Sequence, residues 1–183
     1  MHARWLFLPV GGAWIAHAPV LRWDLLSRLN RPIDGGRTLR GRRLFGDNKT
    51  WRGALVMGGG AFGATLGLHG LRWYRERLPP QVRDVSPALL GAVLAFGTVA
   101  GELPNSLMKR QLDIAPGGQR NSVVGIALSA LDQGDFVLAI WLLLTPLWRV
   151  PARQALDAFA TVAAVHIGVN VVGYAIGART SAI

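Results

Sequence analysis

The sequence predicts an all-α polytopic membrane protein with about five transmembrane helices and two polar loops on the cytoplasmic side. Hydrophobic residues make up 51% of the 183 residues and charged residues only 16%, whereas a water-soluble domain carries about a quarter charged residues. The chain contains no Cys, which excludes disulfides, thiolate metal sites and cysteine nucleophiles. We expect one integral-membrane domain over residues 1–183.

Five apolar segments approach the length of about 20 residues that a helix needs to cross a bilayer core. They are Trp5–Leu21, Gly53–Leu71, Val85–Leu103, Val123–Trp148 and Ala158–Ala178. The first has an alternative interpretation as a signal peptide, because Ala16-His17-Ala18 has the small-x-small form of a cleavage site. Pro19 would directly follow the cut and further apolar segments come after it, so we interpret the segment as a helix.

The cations are unevenly distributed between these segments. Nine of the 20 Lys and Arg residues lie between Arg22 and Arg52. With that side in the cytoplasm, 13 cations lie inside and 7 outside, in agreement with the positive-inside rule. Four arginines of the second loop, Arg72, Arg75, Arg77 and Arg83, oppose the rule. We predict a cell-membrane protein with the N-terminus outside and the C-terminus inside.

The glycines of the second segment favour helix packing over nucleotide binding. Gly58–Gly63 matches GxGxxG, but that fingerprint binds a dinucleotide only where a strand meets a helix. Gly59, Gly63 and Gly67 recur every four residues, so they share one helix face. Small residues at this spacing let two membrane helices approach closely, and we predict that this face packs against another helix.

The histidines indicate no zinc site, because His17, His69 and His166 have no metal-ligand spacing to one another. His166 and Asn170 lie four residues apart on the last segment. They predict a hydrogen bond between helices inside the bundle.

The first polar region runs from Asn30 to Gly53 and combines cations with turn-forming residues. Its turn formers are Asp34, Gly35, Gly36, Gly41, Gly46, Asp47, Asn48 and Gly53. Tight turns would make the interleaved Arg and Lys side chains converge on a polyanion. A basic juxtamembrane loop that holds anionic lipid headgroups is the alternative, and this region alone leaves both open.

The second polar region begins at the end of the third segment. At 100° per residue, an arc of about 100° on one helix contains an acid, an amide, a hydroxyl and an amine. These are Glu102, Asn105, Ser106 and Lys109. One face with four such groups is typical of a binding or catalytic site.

Asp132 and Asp135 lie three residues apart inside the fourth apolar segment. On a helix they are about 60° apart around the axis, so both can face one cation. Carboxylates at membrane depth are costly and usually face a partner or a water-filled cavity. Without Cys or clustered His, this pair favours Mg²⁺ as a cofactor. The alternative is that the span begins at Phe136 and both aspartates are hydrated capping residues.

Together these motifs resemble the CDP-archaeol synthases, membrane cytidylyltransferases related to the phosphatidate cytidylyltransferases. The resemblance covers nearly the whole chain. It rests on Arg31-Pro32-Ile33-Asp34, Gly46–Gly53, Gly101-Glu102, Asn105-Ser106, Lys109-Arg110, Pro116-Gly117 and Asp132–Phe136.

The resemblance implies an enzyme that uses CTP, a membrane lipid phosphate and Mg²⁺, and that releases pyrophosphate and a CDP-activated lipid. Asp132, Asp135 and Lys109 would be catalytic, with both aspartates as metal ligands. The implied substrate-binding residues are Asp47, Asn48, Lys49, Thr50, Arg52, Glu102, Asn105, Ser106, Arg110 and Gly117. The resemblance also implies a preference for CTP over purine nucleotides.

A non-catalytic membrane transporter or a scaffold that binds anionic lipid is the main alternative. It explains five spans and a basic loop, but it leaves the acid pair beside a basic helix end unexplained. We expect the lipid bilayer, CTP and the lipid phosphate as partners and no nucleic acid. The identity of the lipid and the oligomeric state, including a homo-oligomer, stay open.

Overall fold

The computed structural model describes residues 3–115, 123–132 and 134–175. Gly117, a predicted binding residue, lies outside the described residues. So do the end of the predicted fifth span and the side chain of Asn170, so the hydrogen bond predicted for Asn170 stays a prediction.

The described part of the chain is mostly α-helical, as the sequence predicts. A 3₁₀ helix over Ala3–Val10 precedes the first α-helix, and a 3₁₀ turn covers Ser27–Leu29. The helices are α1 Gly11–Arg22, α2 Trp51–His69, α3 Arg72–Arg75, α4 Pro80–Arg83, α5 Pro87–Gln111, α6 Val123–Leu131, α7 Asp135–Leu144 and α8 Ala152–Ala175.

One small hairpin interrupts the helical architecture, inside the first polar region. Its strands, β1 Thr38–Leu39 and β2 Arg42–Arg43, pair antiparallel. The connecting residues Arg40 and Gly41 have φ of 54° and 78°, and two left-handed residues are what a type I′ turn requires.

Two of the predicted spans are not continuous α-helices. The first changes from 3₁₀ to α at Gly11, just after Pro9, because proline has no N–H for an α-helical hydrogen bond. The fourth breaks between α6 and α7, whose axes differ by 58°. At this break the Asp135 carboxylate accepts the N–H of Phe136 at 2.8 Å, and such local bonds compete with the helix.

Among the described residues, α5 is long and apolar enough to cross a bilayer, with a mean hydropathy of 1.4 over its best window. The bent pair α6 and α7 meets the same criterion when it is taken as one span. The count of five transmembrane helices therefore stays a prediction.

Helix α5 lies at the centre of the bundle, between α2 and α7. Its Leu90 and Leu94 are fully buried in a core that also contains Ile140 of α7 and Tyr74 of α3. The polar face of α5 continues directly from this core, which places it inside the protein.

The packing predicted for Gly59, Gly63 and Gly67 is wrong for the part of the chain that the structure describes, because a Cβ at any of these positions would meet none of its atoms within 4 Å. Close approach occurs at other glycines. A Cβ on Gly101 would lie 2.5 Å from Phe136 Cα, and one on Gly97 would lie 2.4 Å from Ile140 Cγ1. These two glycines let α5 and α7 pack backbone to backbone.

A second close crossing joins α1 to α2. A Cβ on Gly60 would lie 2.5 Å from the carbonyl oxygen of Gly12. The glycines of α2 therefore do mediate helix packing, but through a face other than the predicted one.

Candidate active site

Backbone hydrogen bonds join the two ends of the first polar region next to the start of α2. Ile33 donates its N–H to the Lys49 carbonyl at 2.8 Å, and Trp51 donates to the Arg31 carbonyl at 3.0 Å. These two bonds tie the beginning of the region to its end. They fix the position of Lys49 relative to α2.

Asp34 organises the interior of this region. Its carboxylate accepts the N–H groups of Gly36, Phe45 and Gly46 at 2.9, 3.0 and 3.1 Å and a guanidinium N–H of Arg43 at 2.8 Å. Burial alone would raise the pKa of this carboxyl. The hydrogen bonds from Arg43 and the backbone outweigh burial and lower the pKa well below its usual range. The sequence identified Asp34 only as a turn former. In the structure its carboxylate also holds together separate parts of the first polar region.

Two predicted substrate-binding side chains have structural partners at the start of α2. The Thr50 hydroxyl accepts the N–H of Gly53 at 3.2 Å and caps the helix. The Arg52 guanidinium donates to Asp24 at 2.5 Å. The Arg52 side chain is 9% exposed and that of Asp24 73% exposed, so the pair reaches from the interior to solvent.

Lys49 forms an ion pair with Glu102 of α5, 53 residues later in the chain. Burial acts to lower the pKa of the Lys49 amine, but the carboxylates of Glu102, Asp132 and Asp135 together outweigh it and raise the pKa. Lys49 is therefore held as a cation beside the polar face of α5.

The polar face of α5 meets both aspartates at the break between α6 and α7. The side-chain amide of Asn105 donates to Asp132 at 2.9 Å and to Asp135 at 3.5 Å. Lys109, one turn further along α5, pairs with Asp132 at 3.0 Å. Asp135 is buried, whereas the Asp132 side chain is 48% exposed.

The capping interpretation of these aspartates fits Asp132 in part and fails for Asp135. Asp135 does begin a helix, but it is only 7% exposed and faces α5 instead of water. The predicted arrangement on one continuous helix is also wrong, because the helix breaks between the two residues. Asn105 nevertheless contacts both carboxylates.

A pocket of about 460 Å³ opens where these elements meet, within the usual range for ligand sites. Seven predicted site residues line it: Asp47, Asn48, Lys49, Thr50, Arg52, Glu102 and Asp132. Cations, carboxylates and amides thus share one cavity, which suits a charged ligand with several phosphate groups.

The other described site residues do not line this pocket. Asn105, Lys109 and Asp135 are connected to it through the contacts around Asp132. Ser106 and Arg110 follow on the same helix and are 6% and 8% exposed. Asp47 lines the pocket and also pairs with Arg43 at 2.8 Å.

Several pocket residues were not predicted from the sequence. Trp14 and Met57 line the cavity, and so do Asn30 and Ile33 of the first polar region, which were not named as binding residues. His17 and His166 also line it, although the sequence indicated no substrate contact for either. The histidines were visible as polar residues within apolar segments, whereas nothing in the sequence marks Trp14 among the 7 tryptophans.

Comparison with known proteins gives one consistent family. The profile of the CarS-like CDP-archaeol synthase family matches residues 5–182. A CDP-archaeol synthase of Halobacterium salinarum is 39% identical over 163 residues, which are 85% of this chain and 84% of the relative. One of Pyrococcus furiosus is 33% identical over 177 residues, which are 95% of this chain and 92% of the relative.

A solved structure described as an intramembrane enzyme for archaeal membrane lipid biosynthesis shares the fold. It superposes with a TM-score of 0.65, at 27% identity, over 91% of each chain. The match supports a membrane location and an overall architecture shared with that enzyme. With the polar pocket and the sequence relatives, it leads to one assignment: the chain belongs to the CDP-archaeol synthase family of CTP-dependent lipid-phosphate cytidylyltransferases.

Proposed function

We propose that the pocket at the start of α2 binds CTP and an archaeol-type lipid phosphate and joins them into a CDP-activated lipid with release of pyrophosphate. The observation that carries this proposal is the meeting of Asp132, Asn105 and Lys109 within 3.0 Å at the edge of the pocket. Asn105 also contacts the buried carboxylate of Asp135, whereas a scaffold for anionic lipid would need cations at this point and no buried carboxylate. The lipid class comes from the family membership, because nothing in the pocket distinguishes an isoprenoid ether from a diacyl lipid.

The oxygen donors around α5 fit Mg²⁺. Within residues 3–115, 123–132 and 134–175 no three His, Cys, Asp or Glu side chains group into a metal site. Mg²⁺ in nucleotide enzymes commonly takes one or two carboxylates and completes its coordination with substrate phosphates and water. Asp132 and Asp135 would supply the carboxylates. The Asn105 side-chain oxygen is buried and has no partner among the described residues, so it offers a further hard donor.

When bound, Mg²⁺ would neutralise negative charge on the phosphate oxygens. The remaining work of the protein is positioning and electrostatic stabilisation. The attacking oxygen of the lipid phosphate is already ionised at neutral pH, so no side chain has to remove a proton from it.

The cations of the site would hold the triphosphate as charge moves onto the leaving pyrophosphate. Lys49 and Arg52 line the pocket, and Lys109 contacts Asp132 at its edge. Arg110 is buried on the same helix, with Nε and one terminal nitrogen unpaired among the described residues. Each of these side chains can donate a charge-assisted hydrogen bond to a phosphate oxygen.

We further propose that the chain crosses the membrane five times, with the N-terminus outside and the pocket open to the cytoplasm. The uneven distribution of Lys and Arg supports this orientation. A cysteine placed at the exposed position 40 would be modified by an impermeant thiol reagent in inverted vesicles. Modification in right-side-out cells would reverse the proposed topology.

The central experiment measures pyrophosphate release in detergent across a Mg²⁺ titration, with CTP or ATP and a panel of lipid phosphates. Asp132→Asn and Asp135→Asn each remove a hard anionic ligand and should lower turnover by roughly two or more orders of magnitude. Lys109→Ala should mainly raise the KM for CTP. Asp135→Asn should keep its thermal stability, since this buried carboxylate has no ion-pair partner among the described residues and an uncompensated charge at membrane depth is costly. Asp132→Asn and Lys109→Ala each leave one member of an ion pair without its partner, so their thermal stability is measured beside turnover to separate a lost fold from lost catalysis.

Asp84→Asn is the matched control, because Asp84 is an exposed carboxylate in the loop before α5. Its activity should equal that of the parent. Near-parental activity of Asp135→Asn at saturating Mg²⁺ and CTP would remove the proposed metal role. Equal use of ATP and CTP would contradict the nucleotide assignment.

A further inference from the structure

A second pocket adjoins the candidate active site on the side of the N-terminal 3₁₀ helix. It has a volume of about 380 Å³, lies between the 3₁₀ helix and α8, and is lined largely by apolar side chains. Trp14 and Phe136 line this apolar pocket and also the active-site pocket. The two cavities are therefore neighbours that share a wall.

The lining changes from apolar to polar at the same level on two helices. On α1, Gly11 lines the apolar pocket, Trp14 lines both, and His17 lines the active-site pocket. On α8, Val165 lines the apolar pocket and the next residue, His166, lines the active-site pocket. A ligand that occupied both cavities would have to change from apolar to charged at this level.

The boundary itself is built from a pair of rings. Trp14 and His166 stack with their centroids 5.6 Å apart and an interplanar angle of 29°. Stacking restricts the imidazole to one plane at the entrance of the polar cavity. An imidazole N–H can donate a hydrogen bond to a phosphate oxygen.

We propose that the apolar pocket holds a hydrocarbon chain of the acceptor lipid, and that His166 binds the acceptor's phosphate where it enters the active-site pocket. The inference rests on the proposed function. A lipid phosphate is the substrate that joins a hydrocarbon chain to a charged group, whereas CTP has no hydrocarbon chain and carries polar groups on its base, sugar and phosphates. The acceptor would enter sideways from the bilayer, between the 3₁₀ helix and α8.

The experiment separates the two substrates kinetically. Val165→Trp fills the apolar pocket, whereas Ala164→Trp adds the same ring at an exposed neighbouring position that lines neither cavity. Pyrophosphate release is measured while either the lipid phosphate or CTP is varied. Val165→Trp should raise the KM for a long-chain lipid phosphate about tenfold or more and leave the KM for CTP unchanged. Ala164→Trp should behave as the parent.

A second pair of variants tests His166 without changing the volume of the apolar pocket. His166→Ala removes the donor and should raise the KM for the lipid phosphate roughly tenfold to a hundredfold. His166→Asn keeps a donor and should recover part of that loss. An acceptor with the same phosphate and shorter chains should remain sensitive to His166→Ala but lose most of its sensitivity to Val165→Trp.

Failure of this inference and failure of the proposed function give different results. A parent protein that releases no pyrophosphate from CTP with any lipid phosphate refutes both. An active parent whose KM for the lipid is unchanged in Val165→Trp and in His166→Ala refutes the inference alone. Equal increases in the KM values for CTP and the lipid would also overturn it. Thermal stability in detergent identifies any variant that has lost its fold. If a variant of one pair does not fold, the KM values of the other pair test the inference.

Discussion

Two regions of the molecule are rich in arginine, and the structure uses them differently. The first, between Arg22 and Arg52, holds nine cations, and the second, between Arg72 and Arg83, holds four. In the first region the cations of the pocket wall, Lys49 and Arg52, pair with carboxylates. Glu102, the partner of Lys49, comes from α5 and lines the same pocket, so this pair brings charges of both signs to one cavity. Asp24, the partner of Arg52, lies within the first region and is largely exposed.

In the second region the arginines hold the region itself together. Arg72 pairs with Glu76 of its own segment. Arg83 donates to the carbonyl oxygens of Glu76 and Leu78. Arg77 lies 5.4 Å from the ring centroids of both Trp5 and Trp73.

The two regions differ in the partners of their cations. A count of charges in the sequence does not reveal these partners. A cation paired with a carboxylate at a pocket wall can exchange that partner for a phosphate. A cation that holds backbone carbonyls or lies over aromatic rings has a structural role.

The largest expected effect comes from the contact that supports the first region. Gly101→Ala places a Cβ against the Phe136 backbone, which moves α7 and the adjacent Asp135 away from α5. A displacement of about 1 Å at a catalytic group can cost about a hundredfold in rate, and overpacking costs about 1–3 kcal/mol of stability. Pyrophosphate release and thermal stability in detergent measure the two effects.

Gly63→Ala is the matched control, because a Cβ at this position in α2 meets nothing within 4 Å among the described residues. Its activity should stay parental and its stability should not fall, since Ala is more favourable than Gly inside a helix. A Gly101→Ala protein as active as Gly63→Ala would show that the α5–α7 contact does not position the site.

These glycines also show where prediction from the sequence succeeds and where it ends. Spacing alone places Glu102, Asn105 and Lys109 on one face of a helix, and in the structure they do share that face of α5. Spacing also places Gly59 and Gly63 on one face, but none of the described helices contacts a Cβ built at either position. Periodicity determines which residues share a face, whereas the partner of that face depends on tertiary packing.

The ion pairs illustrate the same limit. The sequence identifies Lys49 and Glu102 as polar residues near apolar segments, but their contact spans 53 residues of chain and follows from the crossing of α2 with α5. The pairing of Asp132 with Lys109 joins the break between α6 and α7 to α5, so it also depends on how the helices pack. The sequence therefore predicts which residue types form the site better than it predicts which side chains pair with one another.

The second prediction contrasts one lysine of the first region with one arginine of the second. Lys49→Gln removes a cation from the pocket and leaves Glu102 without its partner, so repulsion of the triphosphate increases. The KM for CTP should rise about tenfold or more, since a hydrogen bond to a charged group contributes about 1.5–3 kcal/mol. Arg72→Gln breaks an exposed pair of the kind that contributes about 0–1 kcal/mol and should leave the KM unchanged. Equal effects of the two variants would remove the distinction between the regions.

The third prediction tests whether the first region depends on its internal acid. Asp34→Asn weakens four hydrogen bonds at once and should cost about 1–3 kcal/mol at neutral pH. Because folding lowers the pKa of Asp34, its contribution is complete above the unfolded pKa of about 4 and is lost as the pH falls toward the lowered folded pKa.

The measurement for Asp34 is thermal stability of the parent and the variant between acidic and neutral pH. The difference should be constant at neutral pH and narrow progressively below about pH 4. A difference that is independent of pH would mean that the carboxylate charge contributes nothing. Glu76→Gln, in the second region, should show no comparable loss at neutral pH.

The smallest expected effect concerns Arg77, the arginine of the second region with the most distinctive contacts. Its guanidinium lies over Trp5 and Trp73, whose rings meet edge to face with centroids 6.5 Å apart. Arg77→Gln removes the cation, and an exposed cation–π contact contributes about 0.5–1 kcal/mol. Thermal stability should fall slightly, while turnover and the KM for CTP stay parental, because Arg77, Trp5 and Trp73 are not among the residues that line the active-site pocket. Trp5 lines the apolar pocket, so the KM for CTP is the readout that compares the two arginine-rich regions. Arg77→Lys keeps the charge and should recover part of the stability. A selective rise in the KM for CTP in Arg77→Gln would show that the second region also attracts substrate, and the contrast between the two arginine-rich regions would then fail.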